Sequence, residues 1–83
     1  MLSGQHNSLG DYTVAVIALR EQHRATVKFF LPALRRRRYA RHLTVDHLAP
    51  MIGVSSNTLG LWETGRHIPP ADLFARWRDL LGV

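Results

Sequence analysis

Arg20 to Arg41 gathers eight Lys or Arg against one Glu, and four of the cations, Arg35 to Arg38, are consecutive. The rest of the chain holds three cations against five carboxylates, so the formal net charge of +5 is concentrated in this one stretch. A dense basic block attracts a polyanion by releasing condensed counterions, a term indifferent to sequence. A solvated helix face, or a patch for a membrane surface, has the same composition. Successive helical residues are about 100° apart, so four consecutive Arg point nearly all round the axis and at least one turns inward.

Little else is equipped for bond-making chemistry. The five His stand at positions 6, 23, 42, 47 and 67, and His42 and His47 miss the i, i+4 spacing that puts two imidazoles on one helix face. Cysteine is absent, which removes disulfides and thiolate metal sites and fits a reducing compartment. Asp11, Glu21, Asp46, Glu63, Asp72 and Asp79 are single carboxylates, most of them near expected helix starts, where they offset the helix dipole. Ser55 and Ser56 have no nearby His and Asp and read as helix caps rather than nucleophiles. No glycine-rich phosphate loop occurs. The chain is therefore expected to be no enzyme and to hold no metal or cofactor. Trp62 and Trp77 lie at helical spacing among Leu and Phe, which marks them as core rather than as platforms for stacked bases. Tyr39, inside the Arg run, is able to sit beside a phosphate.

The elements that must position these groups are short helices. Thr44 can N-cap a helix carrying Val45 and Asp46 in its first turn and Leu48, Ala49 and Ile52 on one side. Gly53 ends it, because a residue just past a helix often needs a positive φ. Ser55 or Ser56 caps the next helix, 56–63, whose Leu59 and Trp62 share a face, and Gly65 closes it. Two helical patterns meeting at one glycine form a helix-turn-helix, whose commonest use is to lay one helix in the DNA major groove. Pro50 falls inside the first of the pair, where a lost donor costs on the order of 3 kcal/mol if uncompensated and bends or shortens the helix.

Length and a hydrophobic content of 46% suit one domain with a modest core. Residues 1–10 are polar, hold Gly4 and Gly10, and are expected to fray; they have neither the basic start nor the apolar run of a signal peptide. Over 11–30, Tyr12, Val16, Leu19, Val27 and Phe30 keep a helical spacing with His23 half-buried among them. The cluster Thr13, Val14, Val16 and Ile17 is the only hint of a strand. Pro32 either opens a separate helix to about Arg41 or kinks one long helix made from both segments. A last helix, Ala71 to Leu81, carries the stripe Leu73, Phe74, Trp77, Leu80 and Leu81. No apolar stretch is long enough to span a bilayer.

The chain resembles the Cro/C1-type (XRE) helix-turn-helix regulators of phage and bacteria. Their pattern is matched by Leu34-Arg35, Arg38, Leu48-Ala49, Gly53, Ser55, Trp62-Glu63 and Gly65, and onward through Pro69 to Leu81-Gly82-Val83, roughly the last 50 residues in one register. Three departures stand out: Val45 replaces the usual Gln, Pro50 interrupts the first helix of the motif, and the base-contacting positions are uncharged.

The resemblance implies an all-α, small helical bundle of the lambda-repressor-like type, spanning 11–83, with 32–83 as its core and 11–30 as an extra N-terminal helix. It implies a transcriptional regulator, a repressor by preference, that binds double-stranded DNA in a sequence-specific way with helix 56–63 in the major groove. Ser56, Asn57, Gly60 and Leu61 fall at its base-contacting positions: Asn57 suits a bidentate contact to adenine, Ser56 a base or phosphate, Leu61 a thymine methyl. Arg35, Arg36, Arg37, Arg41, Ser55, Thr58, Arg66 and His67 are the expected phosphate contacts. Arg38 is expected to turn inward and pair with Glu63. Family members generally act as two-fold dimers and continue into a fifth helix where this chain stops at Val83. Helix 11–30 is thus expected to cover the exposed side in its own subunit or to pair with a second copy as a homodimer. The setting implied is the cytoplasm of a bacterium, associated with the nucleoid, with no membrane partner. A rival from another class is a protein-interaction adaptor or antitoxin-like component on the same fold. A third is a packaging protein that uses the Arg run alone.

Overall fold

The computed structural model describes residues 8–83, which form four helices: α1 (Ser8–Ala40), α2 (Val45–Ile52), α3 (Ser56–Glu63) and α4 (Ala71–Leu81). Among the described residues there is no strand, so the β-branched cluster near Val14 is helical. Residues 8–10, expected to fray with the rest of 1–10, belong to the first turn of α1, while 1–7 lie outside the described residues.

The segments on either side of Pro32 are one continuous helix of 33 residues, the second of the two outcomes the sequence allows. Proline removes one N–H from the ladder, but its ring is exposed while Leu31 and Leu34 beside it are buried, so tertiary packing offsets the break. The helix ends where His42 adopts φ 56° and Leu43 N–H donates to the Arg38 carbonyl at 3.1 Å, closing the last turn.

Local chemistry fixes the three short helices. The Thr44 hydroxyl accepts the His47 N–H at the start of α2, and Gly53 ends it at φ 101° with its N–H on the Ala49 carbonyl. Pro50, on the exposed side, loses one bond without shortening α2, which runs to the glycine. Ser55, not Ser56, caps α3, its hydroxyl accepting the Thr58 N–H. Only Gly53, Val54 and Ser55 separate the two helices.

One core serves all four helices. Val27, Leu31 and Leu34 of α1 meet Leu48, Ala49 and Ile52 of α2, Leu59 and Trp62 of α3, and Phe74, Trp77 and Leu81 of α4. Phe30 and His23 extend it along α4, with ring centroids 6.0 and 5.8 Å from Phe74, and the His23 Nε2–H donates to the Pro69 carbonyl at 2.6 Å. The middle of α1 therefore covers α4 within its own subunit. Its first turns do not: residues 10–22 are exposed apart from half-buried Val16. A helix of this length spans about 50 Å, and the molecule measures 59 × 21 × 20 Å, so this end projects from the bundle.

Candidate functional site

The caps of α3 aim one of its faces outward. Burial of Leu59 and Trp62 on one side leaves Ser56, Asn57, Gly60 and Leu61 on the other, and these four line a single open groove of about 460 Å³. Asn57 is exposed and its carboxamide makes no hydrogen bond to the described residues, so both its donor and its acceptor face solvent. A Cβ added at Gly60 would meet nothing within 4 Å, which makes this glycine the open floor of the groove. Arg66 stands at one edge, on a loop that folds back through its own N–H to the Leu61 carbonyl at 3.0 Å. His67 beside it is exposed.

The groove has a second wall, where Val45 stands at the position of the Gln in the pattern that the sequence resembles and Asp46 was not assigned by sequence. Val45 and Asp46, from the first turn of α2, line it opposite α3. Asp46 has no cationic partner among the described residues, so the groove pairs one free carboxylate with one free guanidinium. The only sequence signal was its place two residues after the Thr44 cap, which equally suits a carboxylate that offsets the helix dipole.

The far end of α3 is clamped. Arg38 Nε and Nη2 reach the two Glu63 carboxylate oxygens at 2.7 and 2.8 Å, while Nη1 donates to the Leu43 carbonyl at 3.0 Å. The side chains are 9% and 6% exposed. The hydrogen bond that Arg38 donates to Glu63 raises the Arg38 pKa above its ordinary value against the opposing effect of burial. This pair ties the last turn of α3 to α1 and so fixes the direction of the groove.

Apart from Arg36, the rest of the Arg run is also engaged within the protein. Arg35 donates to the Glu63 carbonyl, Arg37 to the Leu81 carbonyl at 3.1 Å and Arg41 to the Leu80 carbonyl at 2.9 Å. Carbonyls in the last turn of a helix have no intrahelical donor, and a cation there also meets the negative end of the helix dipole. The three Arg expected at phosphates thus sit on the C-terminal ends of α3 and α4. Arg36 forms no such bond and lies away from the groove, beside Ala33, Ala40 and Val83. Arg76, unassigned by sequence, does for α2 what Arg37 does for α4, donating to the Ile52 carbonyl at 3.1 Å.

Ser55 and Thr58 are joined to each other, the Ser55 hydroxyl donating to Thr58 Oγ1 at 2.9 Å at the N-terminal end of α3. Trp62 and Trp77 are in the core at a centroid distance of 6.0 Å, and Tyr39 is exposed with the Arg38 guanidinium over its ring. No helix among the described residues is long and apolar enough to cross a membrane. Compared with family models, with curated proteins and with solved structures, the chain finds no match.

Proposed function

We propose that the protein binds double-stranded DNA in a sequence-specific manner, as a transcriptional regulator and by preference a repressor, with α3 in the major groove. The observation that carries the reading is the assembly of Ser56, Asn57, Gly60 and Leu61 in one open groove with Arg66 at its edge. An α-helix fits the major groove, and a carboxamide such as that of Asn57 reads adenine through two bonds worth ~1–3 kcal/mol of discrimination. Arg66 and His67, with the Ser55 and Thr58 hydroxyls, supply backbone contacts on either end of α3. The protein acts as a homodimer through the projecting end of α1, whose Tyr12 and Leu19 are exposed at helical spacing with half-buried Val16 between them. It works in the bacterial cytoplasm, on host or phage DNA.

Selection of bound sites from a random duplex pool at near-physiological salt tests this reading. Enrichment of a short inverted repeat is the expected result, and Asn57→Ala is expected to relax preference at one position of it while Arg66→Ala weakens all sites alike. Uniform loss across every site for Asn57→Ala contradicts its assigned role. A second reading, docking on a partner protein, is favoured by Leu61 and the unpaired Asp46 in the same groove. Absence of any enriched site, with a protein captured through Leu61, would move the function there.

A further inference from the structure

Five of the chain's cations make no bond to the described residues: Arg20, Arg24, Lys28, Arg36 and Arg66. Three of them form a line. Arg20, Arg24 and Lys28 follow one another at four-residue intervals on α1, so each lies about 40° round the axis from the last and all three share one side. Arg35, seven residues beyond Lys28, continues that side and donates to the Glu63 carbonyl, which places the line on the flank of α1 that faces the end of α3.

The line also runs into the loop that borders the groove. Arg20 and Arg24, with His23 and Ile68, line a shallow cavity of about 160 Å³, and Ile68 is two residues past Arg66. The loop that carries Arg66 at the groove thus also carries Ile68 against Arg20 and Arg24. Solubility does not require such sorting, since the opposite side of the same stretch presents the equally exposed and uncharged Ala15, Gln22, Thr26 and Phe29. Glu21 is the single carboxylate between Arg20 and Lys28.

We propose that Arg20, Arg24 and Lys28 form a phosphate-binding arm that grips the DNA backbone outside the segment read by α3. The proposal rests on the DNA-binding reading and adds to it a second contact, independent of base sequence. The three side chains span about 12 Å along the helix, a length over which duplex DNA offers roughly seven phosphates. Each cation can therefore meet its own phosphate and release its own counterions. Arg35, Arg37 and Arg41, bound to the protein's carbonyls, are replaced in this role by cations about two to four turns before Arg35.

The test is the salt dependence of binding by the full chain to a mixed-sequence duplex of about 40 base pairs, read by fluorescence anisotropy between about 50 and 200 mM KCl. For the variant carrying Arg20→Ser, Arg24→Ser and Lys28→Ser, the slope of log affinity against log salt is expected to fall by about 2–3, roughly a 40-fold smaller loss across that range. Arg36→Ser leaves the slope unchanged, and the charge-conserving Arg20→Lys, Arg24→Lys variant keeps the wild-type slope. Arg24→Ser alone lowers it by about 1, which supplies the result if the triple variant unfolds. Wild-type binding with an unaltered slope in both the triple and the single variant overturns the arm and leaves the DNA reading standing. No retention of any duplex by the wild type overturns both, and binding to phosphatidylserine vesicles in its place assigns the cationic line to a membrane surface.

Discussion

The two halves of α1 share one backbone and differ in everything that surrounds it. From His23 onward each turn sends a side chain into the protein: Val27, Leu31, Leu34 and then the guanidinium of Arg38. Before His23, Tyr12, Val14, Ile17 and Leu19 are all more than half exposed, though they are as apolar as the residues that build the core. Residue type alone does not bury a side chain; a partner surface does. An isolated helix of about 15 residues is marginal in water, because its first turn fixes several dihedrals for one hydrogen bond. Here the embedded half supplies that nucleus and the outer half propagates from it. The cations divide farther along: Arg20, Arg24 and Lys28 are free, whereas Arg35, Arg37, Arg38 and Arg41 are bound within the protein and Arg36 alone of the later ones is not.

The largest effect belongs to the embedded half. Glu63→Ala leaves the Arg38 guanidinium buried without its carboxylate, at a cost of about 3–5 kcal/mol, a large share of what a small domain has. Thermal unfolding followed by circular dichroism is expected to show the loss even without DNA, and an unchanged midpoint would deny the pair its structural role. The arginine pKa is raised in the fold, so its contribution is complete below the unfolded-state value and is lost only as pH rises through the higher one. From the arginine's side the pair therefore persists throughout the neutral and mildly alkaline range.

A smaller effect separates two kinds of arginine within one run. Arg37→Ala with Arg41→Ala removes donors from the Leu81 and Leu80 carbonyls, which are near the surface, and is expected to lower stability by about 1 kcal/mol in total. Arg36→Ala, one residue away, is expected to stay within about 0.5 kcal/mol of the wild type. Equal urea midpoints for the two variants would mean that the carbonyl contacts contribute nothing and would return Arg37 and Arg41 to the pool of cations open to phosphate.

What the sequence made legible follows the reach of each interaction. The limits of α2 and α3 were readable, to the choice between Ser55 and Ser56, because Thr44, Gly53 and a capping serine act within a few residues of themselves, and α4 was readable from its apolar stripe. The core was readable from 3.6-residue periodicity, including both tryptophans. Continuity across Pro32 was not decidable, since it depends on Leu31 and Leu34 finding α2, α3 and α4, a contact no local pattern encodes. Nor could the Arg run reveal its partners: which guanidinium meets Leu80, Leu81 or the Glu63 carbonyl depends on where two other helices happen to end. The groove was partly legible, its α3 wall and Val45 through family resemblance, Asp46 only from the packed structure.

Gly60 sharpens the contrast between stability and recognition on α3. Glycine inside a helix is disfavoured relative to alanine by roughly 0.5–1 kcal/mol, and nothing stands within 4 Å of where its Cβ would be. Gly60→Ala is therefore expected to raise the unfolding midpoint by several degrees, whereas Gly60→Leu fills the groove and weakens whatever enters it. Calorimetry of the alanine variant checks the first half. A fall in stability would mean that the apparent open space is occupied in solution.

The smallest effect expected is that of Leu19→Ser, and its size depends on concentration. In a single chain Leu19 touches no core, so a dilute sample should unfold within about 0.5 kcal/mol of the wild type. The same substitution at Leu34 would cost several times as much, which is the comparison of the two halves in its simplest form. If the outer half pairs with a second copy, wild-type stability rises with protein concentration by mass action and the Leu19→Ser variant loses that dependence. Removing residues 1–30 would not make the same test, because it also deletes Val27 and Phe30 from the core. Unfolding curves collected over a hundredfold range of concentration separate the outcomes: a midpoint that climbs for the wild type and stays level for the variant places the dimer contact on the projecting end of α1, and one that stays level for both removes the dimer contact from that end.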